Sequence, residues 1–144
     1  TAAGPVDFLH EAIAERGGSL LVDAVQVRPG YHQLFAKLGD QFLIGLPGNP
    51  QSAVIGLLTL GQPLAAAAYG QQFPTWDDIE LGTDFANNGS DARLVLVRVE
   101  NGKAFPVEFL DSSMLRGFVD AHGYCLIPAG GILQGSCAEF SPLS

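Results

Sequence analysis

The sequence predicts an α/β segment followed by a small all-β barrel, and three observations carry that expectation. A strand-like apolar run, Phe42 to Leu46, enters the turn Pro47-Gly48-Asn49-Pro50 and continues directly into an apolar helical stretch. Past Tyr69-Gly70 the helical pattern stops, and only short strand-like runs remain, punctuated by Asn-Gly and Gly-Gly pairs. The 18 glycines and 9 prolines among 144 residues require many turns, as short-stranded folds do. The division falls between residues 1–72 and 73–144.

Asp7 to Arg16 has helical periodicity. Leu9, Ala12, Ile13 and Arg16 share one face, Pro5 lies near the start, and Gly17-Gly18 supply the stop. Ser19 to Val27 reads as a strand broken by Arg28-Pro29-Gly30. Leu34 to Leu38 and Phe42 to Leu46 flank Gly39-Asp40 as a hairpin. The second of these runs is uninterrupted enough to be a strand buried on both faces. A helix is expected over Gln51 to Leu60, with a bend at Gly61 to Pro63 and a continuation to Ala68. Gln71 to Thr75 reads as a linker. The second half offers strands at Ile79–Leu81, Arg93–Val99, Phe105–Phe109, Gly123–Ile127 and Ser136–Phe140. Asn101-Gly102, between two apolar runs, is the strongest hairpin signal in the chain. The first part lacks the strands that would complete a doubly wound sheet.

Composition excludes several function classes. Hydrophobic residues at 47% against 15% charged indicate a globular chain. The net charge of −8, with seven dispersed Lys and Arg, leaves no basic stripe for nucleic acid. Ala53 to Ala68 is interrupted by Gly56, Thr59, Gly61, Gln62 and Pro63, a poor membrane span. No signal peptide is visible, so the expectation is a cytoplasmic protein, and the opening Thr1 suggests an excised segment. Cys125 and Cys137 make no metal motif and are expected to be reduced, in or near a core. His10 should be solvated on its helix and His122 structural, while His32 sits in a loop. Trp76 should anchor packing at the junction, and Asp77-Asp78-Glu80 should be a solvated strand start.

The informative stretch is Pro47-Gly48-Asn49-Pro50-Gln51-Ser52. In an open α/β sheet, ligands bind where a strand ends and a helix begins. There Asn49 can cap the helix, Pro50 suits its first turn, Gly48 allows close approach, and Ser52 can present a hydroxyl beside N–H groups that attract anions. The same residues also suit a strand-to-helix turn with no ligand.

Leu46-Pro47-Gly48-Asn49-Pro50 resembles the signature of the MoeA/gephyrin E-domain family. The surrounding order agrees. Thr1 to Asp7 is similar to the end of that family's Gly-Gly-X-Ser-X-Gly-X-X-Asp segment, and Arg28-Pro29-Gly30-Tyr31-His32 stands where it has Lys-Pro-Gly-Lys-Pro. Arg93 and Arg98 resemble its strand-borne arginine pair, and Ser112-Ser113-Met114-Leu115 its Ser-Ser-X-Leu. Ala121 to Pro128 resembles its Ala-Asn-Gly-Leu strand.

The resemblance implies that residues 1–72 are the C-terminal part of a molybdopterin-binding three-layer α/β domain, and residues 73–144 the C-terminal β-barrel. It implies a transferase of molybdenum cofactor biosynthesis that inserts molybdate into adenylylated molybdopterin with Mg2+, as a homodimer together with the remainder of the parent protein. It makes Asp7 the catalytic aspartate and a candidate metal ligand. Arg28, Pro47, Gly48, Asn49, Ser52, Arg93 and Ser113 become the molybdate- and substrate-binding residues. The expectation is that Arg28, from the α/β part, and Arg93, from the barrel, converge with the Pro47–Ser52 turn on one oxyanion pocket. The rival reading pairs Arg93 with Asp91 on the surface. Ala2 replaces a family Ser, and Tyr31 and His32 replace Lys and Pro. These departures leave open a degenerate member or a binding and scaffold module that keeps the fold without the activity. The segment alone is expected to be inactive.

Overall fold

The computed structural model describes residues 8–107 and 115–143, with backbone only for 115 and 116. Two compact units result. One comprises the chain to Gln26 and Gly30–Phe73; the other comprises Val27–Pro29 and Pro74 onward.

In the first unit, helix α1 (Leu9–Glu15) buries Ile13. It stops where Gly17 takes φ +68° and the Gly18 N–H returns to the Ile13 carbonyl. Strand β1 (Ser19–Asp23) ends earlier than expected because Ala24 adopts φ +84°. Val27–Arg28 forms a separate strand, β2, in the other unit's sheet. Strands β3 (Leu34–Leu38) and β4 (Gln41–Gly45) complete an antiparallel three-stranded sheet in the order β1-β3-β4. Ile13, Leu34 and Ala36 form the small core, with Leu9, Leu38 and Leu43 against it. His10 is not simply solvated: its Nε2 lies 2.8 Å from Asp23 Oδ1.

The reading of β4 as buried on both faces is corrected. Among the described residues it is an edge strand, with Phe42 51% exposed and stacked on Phe35 at 5.5 Å. A complete three-layer α/β domain is absent from the described residues: a three-stranded antiparallel sheet has no parallel strands and too few partners to cover both faces.

After β4 the chain turns into α2 (Pro50–Gly56), a π-helical turn (Leu57–Gly61) and α3 (Gln62–Tyr69). The helical run is continuous through Gly61 to Pro63. Pro63 has no N–H to give Thr59, and the widened turn accommodates it, with the Gln62 N–H reaching back to Leu57. The helix ends at Gly70, φ +65°. By length and composition this 20-residue helix would be enough to cross a membrane, so Gly61 and Pro63 do not break it as expected. Ser52, Ile55, Gly56 and Ala66 on it are buried.

The second unit closes into a barrel. Strands β5 (Asp77–Leu81), β6 (Ala92–Glu100), β7 (Lys103–Pro106), β8 (Gly123–Ile127) and β9 (Cys137–Pro142) pair in the order β6-β7-β5-β9-β8, and β8 returns to β6. Closure removes the free strand edges that an open sheet would present. The β6–β7 turn has φ +50° at Asn101 and +76° at Gly102, as a two-residue hairpin requires. Leu81, Phe85, Val95, Val97, Ala104, Cys125, Ile127 and Ala138 fill the interior. The ring of Phe140 lies over Gly123, where an added Cβ would come within 2.3 Å of it. Trp76 meets the buried Tyr124 edge-on at 5.3 Å, and Glu80 is paired with Lys103 at 2.7 Å. Cys125 is buried in the barrel, and burial pushes its thiol up to about 12. Cys137 is exposed instead of near the core, because it opens β9 at the barrel surface.

Candidate oxyanion site

Sequence-predicted site residues fall in both units. In the first, the turn after β4 is organised by Asn49. Its extended backbone (φ −74°, ψ 127°) precedes the helix, and its side-chain oxygen accepts from the Ser52 N–H at 3.0 Å. Pro50 occupies the first helical turn, where its missing N–H costs nothing. Ser52 differs from expectation. It is 7% exposed and its hydroxyl donates to Asn49 at 3.2 Å, so it closes the cap and is not presented outward. Pro47 is half-buried and Gly48 exposed, and a Cβ on Gly48 would meet nothing within 4 Å. Packing inside the unit therefore does not require glycine there.

In the second unit the structure brings two predicted cations together. Strand β2 pairs in parallel with the start of β6, in the register Val27↔Ala92 and Arg28↔Arg93. Register partners on neighbouring strands project to the same face, about 4.8 Å apart. That face is set by β6: Val95 and Val97 point into the barrel core, and Arg93 shares their parity. The two arginines are therefore on the face that turns inward further along β6. Arg28 does not belong with the α/β part, as expected from its position in the chain, because its partners are β6 and the loop before it.

Each guanidinium is tied to that loop. Arg28 Nε donates to Asp91 Oδ2 at 2.9 Å, and Arg93 donates to the Ala86 carbonyl at 3.2 Å. The rival reading chose the right carboxylate with the wrong arginine: Asp91 serves Arg28. Beneath them Asn87, 2% exposed, directs its amide nitrogen to the carbonyls of Asp91 (3.0 Å), Ile127 (3.2 Å) and Pro128 (3.0 Å). Its oxygen accepts from the Gly89 N–H at 3.2 Å. Sequence reasoning missed Asn87 because Asn88-Gly89 beside it reads as an ordinary turn. Two arginine forks side by side can hold several oxygens of a tetrahedral anion at once.

The remaining predicted residues contribute less. Tyr31 and His32 meet edge-on at 5.1 Å in the first unit, with His32 exposed. His122 Nδ1 accepts from the Val99 N–H at 2.8 Å, a structural role. Arg98 pairs with Glu100 at 2.8 Å. Ala2, Asp7, Ser112 and Ser113 lie outside the described residues. Among the described residues there is no group of three or more His, Cys, Asp or Glu that could hold a metal ion.

Comparison with known proteins agrees with this architecture. Residues 78–143 match the family described as MoeA C-terminal region (domain IV). A Bacillus subtilis protein named molybdopterin molybdenumtransferase is 29% identical over 135 residues, covering 90% of this chain and 31% of that protein. A protein of the same name from Haemophilus influenzae is 37% identical over 71 residues, covering 49% of this chain and 17% of that protein. Among solved structures, a molybdopterin biosynthesis MoeA protein from Pyrococcus horikoshii superposes with a TM-score of 0.74 at 23% identity, over 94% of this chain and 35% of that one. The chain thus spans about a third, or less, of the length of these relatives. Residues 78–143 thus belong to the MoeA C-terminal region (domain IV) family, and the unit before them extends the similarity to MoeA proteins over nearly the whole chain.

Proposed function

We propose that the chain serves molybdenum cofactor biosynthesis as part of a molybdopterin molybdenumtransferase, and that its share of the chemistry is to bind molybdate for insertion into adenylylated molybdopterin. The observation that carries this is the side-by-side placement of Arg28 and Arg93 as register partners on β2 and β6. The names of the relatives supply the reaction class. The arginine pair offers what molybdate needs, a planar array of charge-assisted donors outside an otherwise acidic chain. Holding the oxyanion in one orientation would present it to the pterin without a costly search of orientations. Residues 1–72 would be the closing portion of the molybdopterin-binding domain, with Pro47, Gly48, Asn49 and Ser52 at its substrate turn, and Asp7 and Ser113 completing the set. Mg2+, a cytoplasmic location and a homodimeric parent belong to the same reading through the family resemblance.

The test is cofactor reconstitution by the full-length parent protein from adenylylated molybdopterin and molybdate. Arg28→Ala and Arg93→Ala should each raise the molybdate concentration needed for half-maximal yield. Unchanged molybdate dependence in both variants would overturn the assignment. The 144-residue chain by itself should give no cofactor, since it spans only part of its relatives.

A further inference from the structure

We propose that Asp91 is a positioning residue for oxyanion binding: its carboxylate holds the Arg28 guanidinium beside Arg93, and the buried Asn87 holds Asp91. The inference rests on the reading of Arg28 and Arg93 as the oxyanion pair, and it adds the device that orders them.

The argument begins with strand β2. It has two residues and one parallel ladder with β6, which fixes the Arg28 backbone but not its side chain. An arginine side chain on a surface samples many rotamers, and ordering it on binding opposes affinity. Asp91 meets that need. Its Oδ2 lies 2.9 Å from Arg28 Nε, and the two side chains differ sharply in exposure, 67% for Arg28 and 19% for Asp91. The carboxylate is the fixed member and the arginine the held one. A guanidinium offers five donors in a rigid plane, so one contact at Nε orients the plane while taking one donor.

Asp91 is fixed in turn from below. Its carbonyl accepts from the Asn87 amide, and the same amide reaches the carbonyls of Ile127 and Pro128 at the end of β8. The other end of the loop holds Arg93 through the Ala86 carbonyl. Gly130 N–H donates to the Asn87 carbonyl, and Gly131, at φ +81°, passes so close that a Cβ would come within 2.4 Å of the Phe85 carbonyl. One loop, clamped to the barrel end, thus sets the position of both guanidinium groups. Asp91 has a second conceivable role, as an internal anion that molybdate must displace. The two roles predict opposite signs on its removal.

The experiment titrates molybdate into the full-length parent protein by calorimetry, with thermal melts of every variant. The variants are Asp91→Ala, Asp91→Asn, Arg28→Ala and the Arg28→Ala/Asp91→Ala pair. Losing the ordering of one long side chain should weaken binding by about fivefold in Asp91→Ala. Asp91→Asn should bind close to the parent, because the amide oxygen still accepts from Nε. The double variant should bind no worse than Arg28→Ala, since Asp91 acts through Arg28; a loss arising only from damage to the fold would instead multiply. Tighter binding by Asp91→Ala, or a multiplicative double variant, overturns the proposal. If Arg28→Ala weakens binding and Asp91→Ala does not, this proposal alone fails. If Arg28→Ala binds like the parent, the oxyanion reading fails and takes this proposal with it.

Discussion

Arg28 and Arg93 are register partners across a parallel strand pair, although they come from opposite halves of the chain. Like charges set side by side on a sheet face are unfavourable unless something compensates them. Asp91 and the Ala86 carbonyl compensate here, one for each guanidinium. A bound oxyanion would add to that compensation, and the predictions below follow from this geometry and from the barrel that carries it.

Arg93→Lys separates charge from shape. Lysine keeps the positive charge but presents a point ammonium in place of a planar fork. Loss of a charge-assisted hydrogen bond is worth about 1.5–3 kcal/mol, so molybdate affinity of the parent protein should fall by about tenfold or more. Titration with molybdate and with sulfate checks it. Unchanged affinity for both anions in Arg93→Lys would show that charge alone matters.

Asn87→Ala should destabilise the barrel by about 2–4 kcal/mol, because three carbonyls and the Gly89 N–H lose a partner that is itself buried. Urea unfolding monitored through Trp76 measures this, since Trp76 packs on Tyr124 in the same unit. Asn87→Asp should be no milder, since a carboxylate cannot donate to those carbonyls.

Gly123 and Gly102 should respond differently to alanine. At Gly123 the new Cβ would lie 2.3 Å from Phe140 and 2.5 Å from the Ser141 carbonyl, so strand β9 must shift; about 2–3 kcal/mol is expected. At Gly102 nothing lies within 4 Å and only the left-handed backbone (φ +76°) is strained, about 1 kcal/mol. Thermal melts of the two variants should rank in that order.

Cys137 should react with a thiol reagent in the native protein and Cys125 only after unfolding, as mass spectrometry of alkylated protein would show. Burial raises Cys125 from 9.0 to about 12. Between those values the unfolded chain releases the proton and the native chain keeps it, so this thiol lowers stability as pH rises from 9 towards 12. Cys125→Ala should lose less stability than the parent over that interval, whatever its stability at neutral pH.

Local features were legible in the sequence by itself. Asn101-Gly102 makes the turn it promises, because both residues tolerate positive φ at little cost. Asn49 caps and Pro50 starts the helix, since the free N–H groups lie within three residues of the cap. Gly70 ends it for the same short-range reason. The family resemblance also held: residues 78–143 match domain IV, and a curated relative is similar over 135 residues of the chain. What only the tertiary structure decided concerns partners distant in sequence. Val27 reads as the end of the first strand and Arg28 as part of the break after it, yet both pair with β6. Phe42 sits in an uninterrupted apolar run, yet lies at a sheet edge. Asp91 meets Arg28 in place of Arg93, and Asn87 reaches three carbonyls of which two lie some forty positions away. Side-chain periodicity states which residues share a face of one element. Which element lies against that face is settled by long-range pairing and by the requirement that every buried polar group find a partner.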